Sequence, residues 1–222
     1  MTPVPPSGVG DRRPLASRDT ALARRACLAL VARGVSPNAI SVFGMFAGIA
    51  AGAALAATTV VPDAARLLCL VGAAAIQLRL LCNLLDGMVA VESDSASALG
   101  ELFNEVPDRI ADTAVLVGFG YASGFTWLGL TAALLAMATA YVRALGKALT
   151  GTSDFGGPMA KPQRMFFVTM AALYLGLAPS GWLPTGTWNL PTLVLATISL
   201  GSLWTALRRL RNLALRLRAD AP

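Results

Sequence analysis

The sequence predicts an all-α polytopic membrane protein, with six membrane-spanning helices behind an N-terminal amphipathic helix lying in the interface. Three observations predict it. Hydrophobic side chains make up 55% of the 222 residues and charged ones only 14%, too apolar a balance for an ordinary soluble domain. Charge-poor runs of about twenty residues, the length that crosses a bilayer as a helix, recur along the chain. Finally, once six spans are drawn, every Lys and Arg except Arg66 falls on one side, which marks that side as cytoplasmic.

Residues 1–17 are rich in Pro, Gly and Arg and predict a disordered cytoplasmic arm without the apolar core of a signal peptide. Residues 18–222 then form a single membrane domain. Ser17 is placed to cap a helix over residues 18–33, whose Arg24, Arg25 and Arg33 make it too charged to span and suited to the interface. Gly34 ends it and Ser36-Pro37-Asn38 restarts the chain. The first span covers about 38–60, with Gly44, Gly48 and Gly52 on one face for close helix contact. The second covers about 64–85, the third about 101–121 and the fourth about 125–145. A Gly-, Ser- and Pro-rich loop over 149–163 precedes a fifth span at about 165–181. Trp182 and Trp188 serve as interface anchors before the sixth span, at about 190–207.

Composition also excludes chemistry. The chain has no histidine, so the commonest general base and most zinc or haem sites are absent, leaving carboxylate and amide oxygens as metal ligands. Cys27, Cys69 and Cys82 lie far apart in apolar patterns, with neither metal spacing nor an even count, and read as packing residues. The net charge of +6 follows membrane topology rather than an aromatic-studded basic face, so no nucleic acid is expected as partner.

Seven of the twelve acidic residues fall within 83–112: Asp86, Glu92, Asp94, Glu101, Glu105, Asp108 and Asp112. Acids at membrane depth cost about 2.5–3.5 kcal/mol at a helix centre and so point to function. At the end of the second span Asn83, Asp86, Gly87 and Ala90 share a helix face, and on the third Asn104, Asp108 and Asp112 do the same. Two helices that each present an Asn/Asp pair can surround a divalent cation, and Pro107 frees the carbonyl of Phe103 as an extra acceptor. Such a cation attracts a diphosphate, for which Arg143, Lys147, Lys161 and Arg164 lie on the same side; positive-inside topology alone would also put basic residues there. Glu92 and Asp94 read as a solvated loop.

The pattern Asn83-x-x-Asp86-Gly87-x-x-Ala90-Val91, eight residues, Gly100-x-x-x-Asn104-x-x-x-Asp108 resembles the signature of the CDP-alcohol phosphotransferases, D-x-x-D-G-x-x-A-R, eight residues, G-x-x-x-D-x-x-x-D. Every spacing agrees. The six spans, the preceding amphipathic helix and the Pro-Asn opening of the first span resemble the family too. Asn83 and Asn104 stand at the family's first and third aspartates and Val91 at its arginine, a paired Asn pattern similar to a bacterial subgroup. The resemblance implies transfer of a substituted phosphate from a CDP-linked lipid such as CDP-diacylglycerol to a hydroxyl acceptor, with release of CMP. Asp86 would bind the metal, one or two ions of magnesium or manganese, with Asn83, Asn104 and Asp108 as further ligands. Asn83, Gly87, Ala90 and Gly100 would contact CDP, and Asp108 would take the proton of the attacking hydroxyl. Arg143, Lys161 and Arg164 would meet phosphate or the acceptor, with Glu105 and Asp112 behind the ligands.

The resemblance further implies a homodimer, and the Lys and Arg distribution over six spans puts both termini and the active site on the cytoplasmic side of the cytoplasmic membrane. The acceptor, a small alcohol or alcohol phosphate, is not specified by the sequence. Two other classes fit the same residues: a non-catalytic member that binds CDP-lipid or a partner protein, and a small transporter using the acids as a cation or proton path.

Overall fold

The computed structural model describes residues 20–95, 98–179, 182 and 189–219. The predicted arm, Ser17 and Trp188 lie outside them. Seven α-helices follow in order: α1 Ala21–Ala32, α2 Pro37–Ala57, α3 Ala65–Glu92, α4 Ala98–Ser123, α5 Thr126–Thr150, α6 Lys161–Leu177 and α7 Leu190–Ala219. Among the described residues there is no strand.

The helix boundaries follow local chemistry. Thr20 caps the described part of α1, accepting from the Ala23 amide at 3.3 Å. Gly34 turns the chain at φ 69°, a conformation that costs glycine little. Ser36 then caps α2 through the Ala39 amide, with Pro37 at the first helical position. The second span, predicted to about residue 85, belongs to a longer helix, α3, that runs to Glu92 and keeps Asn83, Asp86, Gly87 and Ala90 helical, as their predicted shared face requires. Continuous i→i−4 bonding through Asp86 keeps the face spacing that the motif needs. Likewise α7 runs about a dozen residues beyond the predicted span.

Four helices, α2, α3 with the short turn before it, α5 and α7, are long and apolar enough to cross a membrane. Leu67, Leu134, Leu200 and Trp204 point outward from these helices, leaving a broad apolar exterior that suits lipid. The acids and Arg109 make the first half of α4 polar, and α6 has only 17 residues.

The interior is one large apolar cluster joining α2 to α7, with Leu55, Ile76, Val115, Phe119, Val168, Leu195 and Ile198 fully buried. The predicted glycine face is used. Gly48 and Gly52 meet Ala111 and Ala114 on α4, Gly44 meets Cys82 on α3, and Gly118 abuts the Gly52 carbonyl. A second cluster of Cys27, Ile40, Cys82, Leu85 and Val89 seats α1 against the motif half of α3. All three cysteines are free and buried, as packing residues are.

Candidate functional site

The site lies where α2, α3, α4 and α6 converge. Asp86 on α3 is 5% exposed, so its carboxylate needs partners. Oδ2 accepts from Ser41 Oγ on α2 at 2.6 Å and Oδ1 from the Gly87 amide at 2.6 Å. One turn earlier, Asn83 Oδ1 accepts from Lys161 Nζ at 3.1 Å. Lys161 is the first residue of α6, and its ammonium also donates to Asp108 Oδ2 on α4. The other oxygen of Asp108 accepts from Arg79 NH2 at 2.6 Å. The two halves of the motif, far apart in sequence, are thus joined through side-chain cations.

Behind this layer sits a buried ionic one. Arg79, 2% exposed, also lies 3.2 Å from Asp112 Oδ1, and Arg164, 1% exposed, lies 3.6 Å from Asp112 Oδ2. These are charge contacts rather than well-aligned hydrogen bonds, since neither Asp112 oxygen has a hydrogen-bond partner. Arg164 further donates to the Met159 carbonyl at 3.0 Å, holding the end of the 151–160 segment. Glu105 pairs with Arg143 on α5 and lies 3.5 Å from Arg109. Arg143 also covers the Phe155 ring at 5.6 Å.

Gly87 and Ala90 lie on the α3 face that carries Asp86. A cleft of about 260 Å³ opens between α1 and this end of α3, lined by Arg24, Cys27, Gly87, Met88 and Val91. Gly100 lies in the first turn of α4. Glu92 and Asp94 are exposed, Asp94 in the predicted solvated loop and Glu92 as the last residue of α3.

Among the described residues no three His, Cys, Asp or Glu side chains form a metal cage. The donors present are mixed: carboxylates of Asp86 and Asp108 with amide oxygens of Asn83 and Asn104. Asn104 Oδ1 is buried without a hydrogen-bond partner, a state that costs about 1–3 kcal/mol and that a hard cation would relieve. This oxygen set fits magnesium or manganese.

Three contributors escape the motif. Ser41 belongs to another helix, and no spacing links it to Asp86. Arg79 did carry a signal, being four residues before Asn83 and seven before Asp86 on the same face. Arg209 on α7, 5% exposed, donates to the Gly156 and Thr139 carbonyls and ties the loop down from beyond the predicted sixth span. In that loop Asp154 accepts from the Gly156 amide at 2.7 Å and from Asn212 at 3.0 Å. Burial pushes its carboxyl up, but these bonds and the charges of Arg209 and Arg216 outweigh it and hold it below the usual carboxylate range.

The chain is 28% identical over 179 residues to phosphatidylinositol phosphate synthase of Mycobacteroides abscessus, covering 77% of each protein. It is 28% identical over 139 residues to the inner membrane protein YnbA of Escherichia coli, covering 62% of this chain and 66% of that one. No family model matches. Solved structures of the Mycobacterium tuberculosis phosphatidylinositol phosphate synthase share the fold. The structure with manganese and citrate aligns at TM-score 0.69 and 21% identity, over 86% of this chain and 88% of the other. The structure with CDP-DAG bound aligns at 0.69 and 21%, over 87% and 94%.

Proposed function

We propose that this homologue of phosphatidylinositol phosphate synthase is a CDP-alcohol phosphatidyltransferase, moving the phosphatidyl group of a CDP-lipid to a hydroxyl acceptor and releasing CMP. The observation that carries the reading is the meeting of Asn83, Asp86 and Asp108 at one buried polar site, in a chain whose relative has a structure with CDP-DAG bound. CDP-diacylglycerol suits a site beside apolar helix faces, since its acyl chains can remain in lipid. Gly87 and Ala90 leave the α3 face low enough for cytidine and diphosphate, with Asn83 and Gly100 as neighbouring contacts.

Asp86, Asn83, Asn104 and Asp108 would hold magnesium or manganese, which when bound offsets charge on the diphosphate. Manganese in the mycobacterial synthase structure supports that assignment. Asp108 takes the proton of the attacking hydroxyl: Arg79 and Lys161 occupy two of its roughly four lone-pair sites, leaving the others open to a substrate hydroxyl. Arg143 and Lys161 face phosphate; Arg164, expected from the sequence to be a third such contact, is 1% exposed and turned to Asp112 and the Met159 carbonyl, and with Asp112 and Glu105 it holds these groups in place. The acceptor is a small alcohol or alcohol phosphate.

The reading includes six spans, with α4 and α6 crossing beside the four apolar helices, α1 in the interface, both termini and the site in the cytoplasm, and a homodimer in the inner membrane. The position of Arg66 supports the topology. It donates to the Gly176 and Ala178 carbonyls at the far end of α6, opposite the end that begins with Lys161. Purified protein incubated with labelled CDP-diacylglycerol, manganese or magnesium and a panel of alcohols including inositol phosphate tests the reaction. Release of CMP that depends on one acceptor, and is lost in Asp86→Ala and Asp108→Ala, is expected; full turnover in either variant would refute these roles.

A further inference from the structure

Resting on that reading of the site, we propose that the ε-ammonium of Lys161 is a resident cation in the place of a second divalent ion, so that each chain binds a single metal. A cation shared by the two motif helices must take an oxygen from each. Lys161 Nζ does this, donating to Asn83 Oδ1 on α3 and to Asp108 Oδ2 on α4 from the first residue of α6. Its side chain is only 16% exposed, and that of Asp108 14%, so the pair is not a loose surface contact.

Charge balance supports the same conclusion. Four carboxylates, Asp86, Glu105, Asp108 and Asp112, face five cations, Arg79, Arg109, Arg143, Lys161 and Arg164. The site is therefore slightly positive before any metal enters. One divalent ion raises it further, and the two negative charges of a nucleoside diphosphate diester then offset that ion. Among the described side chains a second would meet no remaining carboxylate, because the amides of Asn83 and Asn104 bring oxygen without charge. Two-metal sites hold their ions about 3.5–4 Å apart, which demands anionic ligands around both. The unpartnered Asn104 Oδ1 remains for the one ion, together with Asp86 and the lone pairs of Asn83 and Asp108 that Lys161 does not use.

The test counts ions on the full chain in detergent. The protein is equilibrated with Mn²⁺, with and without CDP-diacylglycerol, and bound manganese per chain is measured alongside the spin-resonance signature of coupled pairs. One uncoupled Mn²⁺ per chain is expected in both conditions. The Asn83→Asp/Lys161→Ala double variant, eluting in size exclusion like the native chain, is expected to bind two. Two ions on the native chain overturn the proposal, as does a correctly folded double variant that still binds one. The count on the native chain decides by itself if the variant does not fold. Absence of CMP release with every alcohol, whatever the ion count, refutes the phosphatidyltransferase reading rather than the place of Lys161.

Discussion

Ser41 Oγ on α2 lies 2.6 Å from Asp86 Oδ2 on α3, a buried hydrogen bond between residues 45 apart in sequence. The hydroxyl has one proton, and the Pro37 carbonyl at 3.3 Å is its weaker alternative. Hydrogen bonds to charged groups contribute about 1.5–3 kcal/mol. Ser41→Ala should therefore lower kcat/KM for CMP release by about ten- to a hundred-fold. Unaltered kinetics would show that the Gly87 amide alone positions Asp86.

Arg79 stands between Asp108 and Asp112 and is nearly inaccessible. Removing one partner of such a buried cluster leaves charge without compensation and costs about 3–5 kcal/mol. Arg79→Met should lower the melting temperature in detergent sharply, and adding Asp112→Asn should restore part of the loss. A double variant no more stable than Arg79→Met alone would assign Arg79 to packing rather than to charge.

The sequence placed the two halves of the motif on separate helices, because helical spacing is a local property that Asn83, Asp86, Asn104 and Asp108 carry themselves. It located the glycines of α2 for the same reason. What it could not supply is which side chains from other helices fill the space between those halves. Lys161 and Ser41 reach the motif only through the packing of α6 and α2 against α3, and no periodicity encodes that meeting. Hydropathy marks where lipid ends and not where backbone hydrogen bonding ends, so α7 continues about a dozen residues past the predicted span.

A methyl group on Gly52 would overlap the Ala114 carbonyl, whereas one on Gly34 meets nothing within 4 Å. Overpacking typically costs about 1–3 kcal/mol, with more where backbone must separate. Gly34 has φ 69°, so its substitution costs about 1–2 kcal/mol by backbone strain alone. Gly52→Ala should therefore reduce thermal stability at least as much as Gly34→Ala, and should separate α2 from α4. Cysteine cross-linking between the two helices measures that separation; unchanged cross-linking in Gly52→Ala would contradict the close contact.

Asp154 joins the 151–160 loop to α7 through Asn212 and the Gly156 amide, and its carboxyl is held below the usual range. The sign follows from linkage. A carboxyl with a depressed folded pKa contributes stability that is fully present above its unfolded value, near 4, and is lost as pH falls through the folded value. The native chain should thus be more stable than Asp154→Asn at neutral pH, and the difference should vanish in acid below the ordinary carboxylate range. Paired thermal melts of the two proteins across pH 3 to 7 measure it. A difference that is constant with pH would mean that the carboxylate's charge has no part in holding the loop to α7.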